Sequence, residues 1–69
     1  MGTRTRKATL DELAIDYEMY PTLFPDWDEN KLAQDIRWNM LQKMLQRFSE
    51  DAVFAALGRA LDIKRLLGV

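Results

Sequence analysis

A hydrolytic serine needs a base, a metal site needs clustered ligands, and a phosphate cradle needs a glycine-rich loop. The 69-residue chain has no histidine and no cysteine. That removes the commonest general base, the commonest transition-metal ligand and every thiolate. Ser49 has only carboxylates for candidate bases. Carboxylate pairs of the glycosidase kind occur at permissive spacings, yet an 8.1 kDa chain offers little room for a substrate cleft. Asp26, Asp28 and Asn30 open like an EF-hand calcium loop, but Lys31 stands where that loop requires glycine and Arg37 where it requires its last acid. The glycines are scattered at positions 2, 58 and 68, so no phosphate-binding motif exists. The chain is expected to be non-enzymatic and to use no cofactor or metal.

Binding chemistry is better represented. The stretch YPTLFPDWDE places Tyr20, Phe24 and Trp27 beside Asp26, Asp28 and Glu29, with Leu23 among them. Such side chains either plug the end of a helical core or form an aromatic anchor for a partner with an apolar pocket and a basic rim. A second possibility lies in FAALGRALDIKRLLGV, which looks superficially like a bacterial helix-turn-helix segment and offers Arg59, Lys64 and Arg65 to phosphates. Taking Gly58 as its turn puts Phe54 where a small residue belongs and Lys64 where a branched apolar one belongs. Asp62 sits among the basic residues, so DNA binding is the second choice.

The elements that must position these groups are helices. Thr9 and Glu12 are spaced as a capping box, with Asp11 and Glu12 in the first turn, where the helix dipole favours acids. Leu10, Leu13, Ala14, Tyr17 and Tyr20 share one face. Pro21 closes the helix, which is predicted over Leu10 to about Met19. Asp28 to Phe48 is the longest uninterrupted helical pattern, capped by Asp26 or Asp28. Its large apolar residues cover roughly 240° of the circumference, far beyond the stripe of a helix resting on one neighbour. Trp38, Leu41, Leu45, Phe48 and Ala52 make a short heptad-like seam, with Ile36, Met40 and Met44 as a second ridge. Arg37 and Arg47 lie inside this arc, each able to keep its head in water or to reach an acid across an interface. Ser49, Glu50 and Asp51 restart a helix, and Gly68 is a plausible stop. Gly58 is a weak point and Asp62 could cap a last turn, which leaves one helix or two over residues 49–69.

The expected fold is all-α, with three or four helices, residues 9–69 as one domain and 1–8 as a flexible basic arm. A lone core of this size is marginal, and without cysteines or metal ligands oligomerisation is the remaining stabilising device. A homodimer is therefore expected, with Ile36, Met40, Leu41, Met44, Leu45 and Phe48 as most of the shared core. Net charge is −1, but acids crowd positions 8–35 and bases predominate from 36 onwards. No stretch of about 20 apolar residues offers a membrane span. The basic start runs into LDELAIDYE rather than a signal-peptide core, and Arg6 stands where a myristoylation motif wants Ser or Thr. The expected location is the cytoplasm.

In length, helical content and charge layout the whole chain resembles the small accessory proteins of temperate bacteriophages, among them the phage anti-quorum-sensing proteins. That resemblance implies a cysteine-free helical dimer that inhibits a host protein. Its targets would be the DNA-binding domain of a quorum-sensing transcription activator or a pilus-assembly ATPase. The acidic surface of Asp11, Asp16, Glu18, Asp26, Asp28, Glu29 and Asp35 would then occupy a basic site. A purely structural oligomerisation subunit is the remaining alternative.

Overall fold

Three α-helices and one 3-10 turn make up the regular structure of residues 7–68, the part of the computed structural model that can be described. Helix α1 spans Leu10–Met19, α2 Lys31–Arg47 and α3 Glu50–Leu67, with a 3-10 turn over Tyr20–Leu23 after α1. The chain is all-helical among the described residues. The expected basic arm over 1–8 lies outside them except for Lys7 and Ala8.

Local signals set most of the boundaries. Thr9 Oγ1 accepts the amide of Glu12 at 3.2 Å and donates to the Glu12 carboxylate, also at 3.2 Å, which starts α1 where the capping box predicts. Pro21 then turns the backbone into the 3-10 segment. Ser49 accepts the amide of Ala52 at 3.2 Å and starts α3. Gly68 ends it with φ 73° and ψ 25°, the left-handed region where a Cβ is costly. Residues 50–67 form one helix, and neither Gly58 nor Asp62 interrupts it.

The start of α2 differs from expectation. The cap is Asn30, whose Oδ1 accepts the amide of Ala33 at 3.0 Å, so the helix begins at Lys31 and not at Asp28. Asp26 and Asp28 belong instead to two overlapping turns, closed by Glu29 N–H to the Asp26 carbonyl at 2.9 Å and Asn30 N–H to the Trp27 carbonyl at 3.2 Å. Those turns use the backbone groups that an earlier helix start would need. The other end also departs from a continuous seam. Phe48 is extended, with φ −132° and ψ 159°, so the run from Trp38 to Ala52 breaks there and the chain changes direction into α3.

The core is small and made of small residues. Among the described residues, Ala14, Ala33, Met44, Val53, Ala56 and Ala60 are the buried hydrophobic ones. Ala14 of α1 meets Ala56 and Ala60 of α3, flanked by Leu10, Ile15 and Leu57. Four residues apart, Ala56 and Ala60 share a face, and short side chains there let the two axes approach closely. This α1–α3 seam is the principal helix pairing, and α2 meets both other helices less extensively. The central helix is thus a flank and not the hub that its length suggests.

Candidate partner-binding surfaces

Arg37 holds the corner between the loop and α2. Its guanidinium carbon stands 4.0 Å from the Tyr17 ring centroid and 5.4 Å from that of Trp27. Arg37 Nε donates to the Tyr17 carbonyl at 3.1 Å, and Nη2 pairs with Glu18 at 3.0 Å. Tyr17 lies in the last turn of α1, whose carbonyls lack partners within the helix. That turn carries no basic residue of its own, so Arg37 supplies from α2 the cation that a helix C-terminus favours. Of the two roles open to it in sequence, it takes the acid-pairing one, inside its own protomer. Gln34 adds a second tie from α2, its side-chain amide donating to the Trp27 and Asp28 carbonyls at 2.9 and 3.0 Å.

Tyr20, Phe24 and Trp27, expected as a contact surface, are each half-buried. Tyr20 and Phe24 pack ring to ring at 5.0 Å, and Trp27 lies beneath Arg37. These three rings serve first to seat the loop. The exposed apolar tip of the loop is Leu23, 70% exposed. Asp26, Asp28 and Glu29 are exposed. Asp11 and Glu18, counted with the acidic surface, are engaged by Arg59 and Arg37. Asp16, Asp26, Asp28, Glu29 and Asp35 make no ion pair among the described residues.

The residues expected to form the shared core of a dimer separate by depth. Met44 is 1% exposed inside the protomer, so it has no surface to give a second copy. Met40, Leu41, Leu45 and Phe48 are half-buried and Ile36 is exposed. The apolar arc of α2 is covered along its middle, at Ala33 and Met44, and uncovered at both edges. Leu32 and Ile36 mark one edge, and Trp38, 60% exposed, marks the other. Trp38 also borders a shallow depression with Tyr17, Trp27, Gln34 and Arg37.

The basic residues of α3 are partly committed within the chain. Arg59 pairs with Asp11 at 2.6 Å and Arg65 approaches Asp62 at 3.8 Å, while Lys64 is half-buried. Gly58 lies inside a continuous helix, so the helix-turn-helix reading has no turn at the place it needs one. What sequence reasoning missed is the outer face of α3 and its last turn, where Phe54, Leu61, Leu66 and Leu67 are all exposed. Their periodicity reads as a core face. The signal lay in the alanines, which claim the interior side of the same helix.

Among the described residues no cluster of acidic side chains could hold a metal, and no helix is long and apolar enough to cross a membrane. No protein-family model, no curated protein and no solved structure matches this chain.

Proposed function

We propose that this chain is a non-catalytic protein-binding module that acts as a homodimer and inhibits a larger host protein by docking on it. One observation carries this reading: size and burial are inverted. Among the described residues, four of the six buried hydrophobic ones are alanines, while Leu23, Leu32, Ile36, Trp38, Phe54, Leu61, Ile63, Leu66 and Leu67 are exposed. Large apolar side chains left outside a small core mark surface meant to be covered. The proposed target-facing surface is the outer side of α2 and the loop before it. There Leu32, Ile36 and Trp38 supply apolar contact, and Asp26, Asp28, Glu29 and Asp35 supply charge for a basic rim.

The target class follows from the resemblance to phage inhibitors: the basic DNA-binding domain of a bacterial transcription regulator of the quorum-sensing type. An acidic surface suits such a site because it competes with DNA phosphates for the same cations. The test uses the purified DNA-binding domain bound to a labelled operator duplex, followed by fluorescence anisotropy. Displacement of the duplex by the wild-type chain, with loss of displacement in Trp38→Ala or Leu32→Asp, supports the reading. A regulator that neither binds the chain nor releases its duplex removes this target class. Direct binding of duplex DNA by the chain alone, weakening steeply with salt, would instead favour contacts through Arg59, Lys64 and Arg65.

A further inference from the structure

Helix α3 carries two apolar stripes. Ala56 and Ala60, with Val53, face inward. Roughly 110° further round, at 100° per residue, lies a second line made of the exposed Phe54, Gly58 and Leu61, with half-buried Leu57 joining it to the seam. Phe54 is 55% and Leu61 37% exposed. A Cβ built on Gly58 would meet nothing within 4 Å. Glycine in a helix interior costs stability relative to alanine, and nothing within the protomer requires it at this position. Its effect is to leave a flat place in the middle of an outward-facing apolar line.

The ends of that line are charged with opposite signs. Glu50 and Asp51 stand at its start, and Lys64 and Arg65 four turns later. Glu50, Asp51 and Lys64 have no ion-pair partner among the described residues, and Arg65 has only the neighbouring Asp62 at 3.8 Å. Laid antiparallel on a copy of itself about a two-fold axis between Leu57 and Gly58, the line is self-complementary. Glu50 then faces Arg65 of the other copy, Phe54 faces Leu61, and Leu57 packs toward the gap left by Gly58, while Asp51 and Lys64 lie on the flanks near the oppositely charged ends. A parallel pairing would set acids on acids and bases on bases. We propose that the outer face of α3 is the self-association surface, and that its occupant is α3 of a second copy in antiparallel, two-fold-symmetric contact. This places the dimer contact on α3 and leaves the outer side of α2 free. It does not depend on the identity of any host target.

Sedimentation equilibrium over a concentration series tests it, with circular dichroism as the check on folding. The wild type is expected to dimerise, and Leu61→Glu to raise the dissociation constant by roughly tenfold or more with helicity retained. Gly58→Lys guards against misfolding as an explanation. It replaces a poor helix former at an open position, yet puts bulk and like charge on the two-fold axis. The double substitution Glu50→Lys with Asp51→Lys is expected to weaken the dimer. Adding Lys64→Glu and Arg65→Glu should restore it, which a parallel pair does not predict. A wild type that stays monomeric at every concentration overturns the proposal. So does a dimer indifferent to Leu61→Glu and Gly58→Lys but broken by Ile36→Asp, which would return the interface to α2.

Discussion

Where α1 meets α3, contact is made by Ala14, Ala56 and Ala60, side chains with no polar atom and almost no conformational freedom. Where α2 meets the loop and the end of α1, contact is made by the Arg37 guanidinium against the rings of Tyr17 and Trp27 and by Gln34 on two loop carbonyls. The first region derives its stability from closeness, since short side chains bring two backbones together and dispersion adds up over many atoms. The second derives it from direction, since a planar cation fits only at certain angles to rings and carbonyls. An alanine seam tolerates no enlargement, whereas an arginine clamp tolerates no loss of shape. This small chain uses the first to hold its helices and the second to fix a stiff, proline-bearing loop.

Substitutions can separate the two regimes. Ala56→Asp would bury an unpaired charge in the seam at a cost of several kcal/mol. That is comparable with the roughly 3–5 kcal/mol a core of this size supplies, so loss of the helical circular dichroism signal is expected. Met44→Asp should fail in the same way, because Met44 is internal, and therefore reports on folding and not on pairing. Arg37→Ala removes the ring contacts, the bond to the Tyr17 carbonyl and the partner of half-buried Glu18. About 2–3 kcal/mol should be lost in urea unfolding, with a red shift in Trp27 emission in a Trp38→Phe background. Arg37→Lys should rescue little of this, since an ammonium cannot reproduce the fork.

Smaller effects refine the picture at the helix ends. Asn30→Ala should cost about 1 kcal/mol through loss of the α2 cap, while Asp28→Ala, in the turn before it, should leave thermal stability nearly unchanged. Equal effects from the two would mean that the helix start is shared between them. Arg59→Ala breaks a pair whose side chains are 58% and 62% exposed. Its cost should stay below about 1 kcal/mol and shrink further in added salt.

How much of this was legible in the sequence depended on whether the signal was local. Thr9, Pro21, Ser49 and Gly68 act on the residues beside them, and the ends of α1 and α3 follow from them. Asn30 was overlooked because Asp26 and Asp28 are equally good caps in isolation. Only the two turns that consume the surrounding backbone groups decide among the three. The α1–α3 pairing was not legible, since alanines add little to an apolar periodicity and the larger residues of α2 dominate the reading. The apolar arc on α2 was legible from spacing, but Met44, near its middle, was taken for an outer ridge and is buried inside the protomer. Of the loop aromatics, types and spacing were evident, while the seating of Trp27 under Arg37 depended on a contact ten residues away.

The seam between α1 and α3 also sets an order of events. Its partners lie about forty positions apart in sequence, with the whole of α2 between them. A helical protein built from neighbouring hairpins closes short loops one after another, whereas this one must close a long loop before its principal contact forms. Until α3 has been synthesised, Ala14 and its flanking leucine and isoleucine have no surface to rest on. Early segments of the nascent polypeptide should therefore stay sensitive to protease, and protection should arrive late and all at once.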